Sequence, residues 1–389
     1  MGRMKPLVLV GRAPASDMAG LGNDRRIVRL RTPASVPVDA RDAALIRDDD
    51  DWASAREQGF ATAVGRDARP DHTPLSYLRL PAAFADLDDG DVIAVYPQSG
   101  RVRVLYRRAS RHNFFLVTER CNNYCLMCSQ PPKKVNDGWL IDEIAQALPL
   151  VDPATPALTF TGGEPLTDWL RFLELLKLTR DLLPDTAVHV LTNGRAFSTP
   201  EVARAWAEIK HPHLSAGIPV YAAVDHIHDY VVQSRGAFDE AVLGILRLKD
   251  HGQRVEIRVV LHAITAPRLR ETCTWIARNL PFVDHVALMG LENTGFAIAN
   301  ADELWIDPLD YQDQLAVGID VLVSAGVNAS VYNLPLCVLD PSVRPYAVQS
   351  ISDWKNAYLP ECDSCTARDR CAGFFSTGRP RFSRGITAL

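Results

Sequence analysis

The chain has 389 residues, 47% of them hydrophobic and 23% charged, which excludes a peptide-sized module and an intrinsically disordered chain and leaves room for two or three domains. Its 42 Lys and Arg against 47 Asp and Glu give a formal charge of −5, a field that argues against a nucleic-acid partner. No apolar run approaches the roughly 20 residues that cross a bilayer, and Leu7 to Val10 is too short for a signal-peptide core, so a cytoplasmic protein without a membrane partner is expected.

The first hundred or so residues carry acidic and arginine-bearing stretches (RDDDDW, residues 47 to 52), frequent prolines and few long apolar helical patterns. The clearest element is DVIAVYPQSGRVRVLYR, residues 91 to 107, where two β-branched runs flank a Pro-Gln-Ser-Gly turn as in a hairpin. A small β-rich domain over residues 1–110 is expected.

From residue 112 strand and helix patterns alternate. The expected strands are 114–118, 157–161, 187–192, 218–223, 256–263 and 285–291, each followed by a helical pattern. The clearest of these helices, Leu166 to Leu183, places Leu166, Trp169, Leu170, Leu173 and Leu176 on one face. Six βα units with right-handed crossovers predict an α/β core over 111–330, a partial (β/α)6 TIM-like barrel whose site lies at the carboxyl ends of its strands. A last helix, 309–325, and a strand near 328–333 precede a tail rich in Pro, Gly and Cys. That tail predicts a cysteine-rich, metal-stapled C-terminal extension, 331–389.

The eight cysteines fall into two groups plus Cys273, and in a reducing compartment such grouping points to metal ligands before disulfides. In ERCNNYCLMCSQ, Cys121, Cys125 and Cys128 are separated by three and then two residues, directly after the first barrel strand. Three thiolates on one loop hold three corners of a cubane, and the missing fourth ligand leaves one iron open to substrate or cofactor. A structural zinc is the alternative; it needs a fourth protein ligand, and His112 is the nearby candidate.

LTFTGGEPL, residues 158 to 166, sets Gly162, Gly163, Glu164 and Pro165 between the second strand and a helix. The glycines allow close backbone approach, Glu164 can accept hydrogen bonds from an ammonium group, and Pro165 suits a first helical turn. Alone, such a segment is an ordinary strand-to-helix turn. Asn193, Arg258, His262 and Glu292, at or near strand ends, are further polar candidates for the pocket, each with a structural reading as a satisfied buried group. Arg258 offers a planar fork for a carboxylate.

Taken together, the cysteine spacing, the strand before it and the GGEP segment resemble the radical S-adenosylmethionine (SAM) superfamily. The resemblance implies a [4Fe–4S] cluster on Cys121, Cys125 and Cys128, with SAM chelating the open iron, and the GGEP segment binding the methionine amino group. It further implies reductive cleavage of SAM to a 5′-deoxyadenosyl radical. The sequence departs from the family where an aromatic residue usually precedes the third cysteine: here Met127 supplies apolar contact without ring stacking.

Cys337, Cys362, Cys365 and Cys371 have 24, 2 and 5 residues between successive members and supply the four thiolates of a closed site, either an auxiliary [4Fe–4S] cluster or a zinc. Cys273 reads as a buried core thiol, and His226 and His228 as solvated or capping groups.

The segments RHNFFLVTERCNNYCLMCSQPPK, IPVYAAVDHIHDYVVQSRGAFDEAVLGI, LENTGFA and NLPLC…ECDSC…RCAGFF resemble the HxsC-type radical SAM maturases of His-Xaa-Ser peptide systems. That resemblance spans about residues 75 to 389. It implies post-translational modification of a ribosomally made His-Xaa-Ser repeat precursor peptide, with a second radical SAM protein and an electron donor as partners, and the N-terminal region is expected to hold the peptide. The alternatives are a radical SAM enzyme acting on a small molecule or RNA base, and a non-catalytic metal-binding adaptor.

Overall fold

The computed structural model describes residues 9–70, 73–349, 357–374 and 382–389. Leu7 and Val8 of the first apolar run, Phe375 of the C-terminal motif, and parts of the expected 1–110 and 331–389 regions lie outside the described residues. The chain divides into two compact units: Met1–Phe115 with Trp139–Leu158 and Leu178–Thr186, and Leu116–Gly138 with Thr159–Lys177 and Ala187–Leu389.

In the first unit, strands β1 (Val10–Arg12), β2 (Met18–Ala19), β3 (Arg26–Arg31), β4 (Asp42–Leu45), β5 (Thr62–Gly65), β6 (Ser76–Arg79), β7 (Val92–Tyr96) and β8 (Arg101–Tyr106) make a mixed sheet in the order β1-β8-β7-β3-β4-β5-β6-β2. The hairpin read from the sequence is β7–β8, closing at Tyr96 opposite Arg101. Successive side chains of a strand point to opposite faces, and β4 buries both. Ala43 and Leu45 enter one core with Leu30, Ile93 and Val102, while Ala44 and the following Ile46 enter a second with Phe60 and Tyr77. Helix α1 (Asp49–Glu57) starts on the Asp48 side chain, which accepts from the Asp51 amide. Helix α2 (Trp139–Ala147) buries Glu143, whose carboxylate accepts from Arg103 Nη1 at 2.5 Å and from the Tyr96 hydroxyl.

The second sheet has the order β15-β14-β13-β12-β11-β10-β9, from β9 (Asn113–Thr118), β10 (Ala157–Gly162), β11 (Ala187–Leu191), β12 (Leu214–Pro219), β13 (Arg254–Leu261), β14 (His285–Gly290) and β15 (Ala329–Tyr332). Pairing from β11 to β15 is parallel throughout. The intervening helices are α3 (Trp169–Leu182), α4 (Pro200–Ala207), α5 (Asp225–Val232), α6 (Ala237–Asp250), α7 (Leu269–Asn279), the short α8 (Phe296–Ala299) and α9 (Ala301–Leu304), and α10 (Gln312–Ser324). The chain thus holds the expected α/β partial barrel, a β-rich N-terminal sheet and a cysteine-rich C-terminal region.

Two elements differ from expectation. The fourth core strand begins at Leu214 instead of residue 218, because pairing with β11 on one side and β13 on the other carries Ser215, Ala216 and Gly217 into the sheet despite their weak strand propensity. The strand expected near 328–333 runs over 329–332 and pairs with β14, so the sheet has seven strands where six βα units were expected. Among the described residues, no helix is long and apolar enough to cross a membrane.

Candidate active site

The loop after β9 is held at its base by Asp137, a buried carboxylate. It accepts from Thr118 Oγ1 at 3.0 Å, from the Glu119 amide at 2.5 Å and from Arg120 Nε at 3.0 Å. Further along, the amides of Tyr124 and Leu126 donate to the carbonyls of Val232 and Val231 at the end of α5. On the far side, the Phe296 amide donates to the carbonyl of Cys128 at 2.8 Å and Asn300 Nδ2 to that of Leu126 at 2.8 Å. Gly295 makes this clamp possible: at φ +54°, a Cβ there would lie 2.3 Å from the Cys128 carbonyl oxygen.

The GGEP segment docks on the start of the same loop. The amides of Gly163 and Glu164 donate to the carbonyls of Thr118 and Arg120, both at 2.7 Å. A Cβ on Gly163 would stand 2.0 Å from the Arg120 carbonyl oxygen, which is why glycine is required. The Glu164 side chain is buried and bound within the protein: Oε1 accepts from the Leu166 amide at 3.0 Å and Thr192 Oγ1 at 2.7 Å, and Oε2 from the Asn193 amide at 2.6 Å. Burial pushes its pKa up against these hydrogen bonds. It ties the end of β10 to the turn after β11.

A cavity of about 280 Å³ opens between these segments and the barrel interior. Of the residues singled out by the sequence, Cys121, Cys125, Cys128, Met127, Gly162, Gly163, Asn193, Arg258 and Glu292 line it; Glu164, Pro165 and His262 do not. Burial raises the Cys121 thiol to about 11, with the Cys128 charge adding to the rise, and raises Cys125 further, with both other thiolates contributing. Three thiols that oppose one another's ionisation on one cavity wall fit a cationic metal centre, which removes that penalty. Among the described residues, no three His, Cys, Asp or Glu side chains converge tightly enough to hold one metal ion. A cubane presents its irons at separate corners, so its ligands need not converge on one point.

The sequence over residues 115–276 matches the Radical SAM superfamily. Residues 115–276 thus resemble a radical SAM domain. No curated protein matches the sequence. Among solved structures, Streptococcus suis SuiB bound to precursor peptide SuiA is 13% identical, with 58% of this chain and 49% of that chain covered and a TM-score of 0.44. Native anSMEcpe with bound AdoMet and Cp18Cys peptide is 18% identical, with 56% and 62% covered and a TM-score of 0.43. Coproporphyrinogen III oxidase (HemN) from Escherichia coli, a radical SAM enzyme, is 15% identical, with 55% and 53% covered and a TM-score of 0.45. The chain thus spans about half the length of SuiB and HemN.

Beneath the cavity, the parallel sheet carries a polar network contributed by four strands. Glu256 Oε1 accepts from Arg258 Nη1 at 2.8 Å; its Oε2 lies 2.9 Å from His285 Nδ1, and His285 Nε2 lies 3.0 Å from Ser330 Oγ. His189 Nε2 approaches Glu256 Oε1 at 3.4 Å. Burial opposes the Glu256 charge, yet the two histidines and Arg258 outweigh it and hold this carboxyl far below the usual range. Arg258 therefore reaches the cavity with one side of its guanidinium fixed on Glu256, and its Nη2 lies 3.0 Å from Met289 Sδ.

His262 is fully buried behind this face; its Nδ1 accepts from the Ile264 amide at 3.3 Å, and desolvation lowers its pKa to about 4. His228 is also buried, contrary to the solvated reading, because its Nδ1 accepts the Tyr221 amide at 3.2 Å; His226 is exposed. Cys273 is a buried core thiol on α7, as expected.

All eight cysteines are free thiols. In the tail, the Leu336 and Gly373 amides donate to Cys371 Sγ at 3.3 and 3.4 Å, and the Leu389 amide to Cys365 Sγ at 3.4 Å. Cys337 is raised by burial and by the Cys371 and Cys362 charges, which places these thiols in one another's fields.

Sequence reading missed Asp137, Arg195, Gly295 and Asn300. Arg195 Nη1 donates to Asn122 O, Asn123 Oδ1 and Ser234 Oγ at 3.0, 2.7 and 2.8 Å, while Nε reaches Glu240 at 2.5 Å. Only the LTNGR turn, one residue past the glycine, marked that position.

Proposed function

We propose that this chain is a radical SAM enzyme that modifies a ribosomally made His-Xaa-Ser repeat peptide, working with an electron donor and a second radical SAM protein. The observation that carries the enzymatic part is the cavity itself, where three thiols of one loop meet the glycine backbone of GGEP at the carboxyl ends of parallel strands. Cys121, Cys125 and Cys128 would hold a [4Fe–4S] cluster, leaving one iron without a protein ligand. Bound there, cluster and SAM would supply one-electron cleavage of a carbon–sulfur bond and, through it, removal of a substrate hydrogen atom.

The protein's own part is placement and exclusion of water. Gly162 and Gly163 present backbone without side-chain bulk, Met127 adds an apolar wall, and Asn193 faces the cavity with its Nδ2 on Asn122 Oδ1 at 2.6 Å. Arg258, held by Glu256, supports the reading of a carboxylate subsite. The four C-terminal cysteines would hold an auxiliary [4Fe–4S] cluster. The repeat-peptide substrate is supported by the sequence resemblance over residues 111–375.

The test is anaerobic incubation of reconstituted protein with SAM, dithionite and a His-Xaa-Ser repeat peptide, reading 5′-deoxyadenosine and peptide mass together. Both signals are expected. Deoxyadenosine without a mass change moves the substrate; retained deoxyadenosine in a Cys121→Ala/Cys125→Ala/Cys128→Ala variant refutes the site.

A further inference from the structure

Outside the cavity, an open groove of about 960 Å³ runs along α7. Arg270, Thr274 and Arg278 recur every four residues on its wall, Arg268 stands at the helix start, and Trp275 lies between them. Glu271, the acidic residue of that wall, pairs with Arg268 at 3.7 Å. No ion pair joins Arg270 or Arg278 to any described residue, and both are exposed. An exposed cationic face with one aromatic ring at its centre fits an acidic protein surface, since charge steers the encounter and the ring supplies apolar contact.

What singles out this groove is the material behind Trp275. Its ring centroid lies 5.4 Å from that of Phe238, Phe238 lies 5.6 Å from His228, and His228 lies 5.6 Å from Tyr221 at an interplanar angle of 29°. Phe238, His228 and Tyr221 are buried. Tyr221 lines the cysteine cavity and belongs to the same packed cluster as Met127 and Cys125. A continuous column of π-systems thus joins the basic groove to the protein wall at Cys125, and packed side chains carry a tunnelling electron better than a gap or disordered water.

We infer that the α7 groove docks an acidic, low-potential one-electron carrier protein, and that the Trp275–Phe238–His228–Tyr221 column carries its electron to the centre at Cys125. This rests on the proposed function and adds the carrier's place of entry and the path of its electron. The reduced carrier loses one electron and the cluster gains it; no bond forms or breaks in the column, and no proton moves.

The test uses the full-length reconstituted protein and reduced flavodoxin as the acidic carrier. Titration calorimetry at low and high salt measures binding, and stopped-flow bleaching of the cluster absorbance measures electron delivery, with dithionite as the small-molecule control. Arg270→Glu/Arg278→Glu should weaken flavodoxin binding about tenfold at low salt and leave dithionite bleaching unchanged. Phe238→Leu should slow bleaching by flavodoxin several-fold at unchanged affinity. Trp275→Leu, at the surface end, should slow bleaching several-fold even at saturating flavodoxin, where its lost docking contact no longer matters, and serves if Phe238→Leu folds poorly. Equal flavodoxin affinity in the charge-reversed protein overturns the docking surface, as does a groove whose charge reversal weakens the repeat peptide alone. Unchanged bleaching in both column variants overturns the path. A wild-type protein with no dithionite-bleachable absorbance overturns the reading of the cysteine site itself, a failure distinct from these.

Discussion

Arg195 Nη1 lies 2.7 Å from Asn123 Oδ1, two residues past Cys121, while its Nε reaches Glu240 on α6. One guanidinium thereby ties the cysteine loop to a barrel helix, with Ser234 as a further acceptor. Arg195→Leu removes charge-assisted hydrogen bonds of which each contributes about 1.5–3 kcal/mol, and leaves Glu240 at the solvent edge where water can serve it. The loop should loosen while the barrel stays folded. Expected are reduced iron content and visible absorbance after reconstitution, with unchanged far-UV circular dichroism; Arg195→Lys, which keeps the charge but not the fork, should fall between. Full iron retention in Arg195→Leu would refute the clamp.

Gly163→Ala tests the docking of the GGEP segment on the cysteine loop. The added Cβ would stand 2.0 Å from a backbone oxygen, so relief requires moving main chain rather than rotating a side chain. Overpacking of this kind costs about 1–3 kcal/mol. A lower Tm and loss of SAM binding in equilibrium dialysis are expected, even where the iron content stays near wild type. Wild-type SAM affinity in this variant would remove the segment from the site.

The barrel and its cysteine loop were legible because both are local in sequence: strand and helix periodicities repeat within each βα unit, and three thiols crowd into eight residues. The hairpin at β7–β8 was legible for the same reason. The supports of the loop were not, because Asp137, Arg195 and Asn300 act across 17, 72 and 174 positions and carry no mark of their own. The register of β12 was lost because Ser215, Ala216 and Gly217 take their conformation from neighbouring strands. The Glu164 carboxylate was assigned outward from its motif, yet the turn after β11 supplies two donors that draw it inward.

Two buried histidines give the protein a pH dependence of known sign. Burial lowers His228 and His262 to about 4, so both stay neutral in the folded state while the unfolded chain protonates them near 6.5. Below pH 6.5 the unfolded state binds more protons, and stability falls as pH drops toward 4, by about 1.4 kcal/mol per pH unit for each histidine. Above 6.5 the contribution is complete. His262→Asn keeps an acceptor for the Ile264 amide and removes one titrating group, so its Tm should decline less steeply between pH 6.5 and 4.5 than that of the wild type. Parallel Tm curves would show that His262 titrates alike in both states.

Glu256 extends the dependence to lower pH. Its folded pKa is depressed, so the stability it contributes is present above the unfolded value near 4.3 and is lost as pH falls below it. Glu256→Gln should flatten the acid limb below that point. The same change frees the Arg258 guanidinium from its 2.8 Å partner, so SAM affinity should shift at neutral pH, where the histidines buried elsewhere do not titrate. An unchanged acid limb would show the network to be uncharged.

The C-terminal cysteines separate cluster from zinc by metal analysis. Amides already donate to the Cys365 and Cys371 sulfurs, contacts that a metal-bound sulfur can keep, and a metal joining Cys337 to Cys371 would close a long loop of the chain. Cys362→Ala/Cys365→Ala removes two of four ligands without touching the first site. Iron and acid-labile sulfide per chain should fall by about half, with SAM binding at the cavity retained and thermal stability reduced. Unchanged iron with loss of bound zinc would assign the tail to zinc, because a zinc site built from four thiolates releases its metal when half of its ligands are gone, while the [4Fe–4S] centre proposed on Cys121, Cys125 and Cys128 would be left intact.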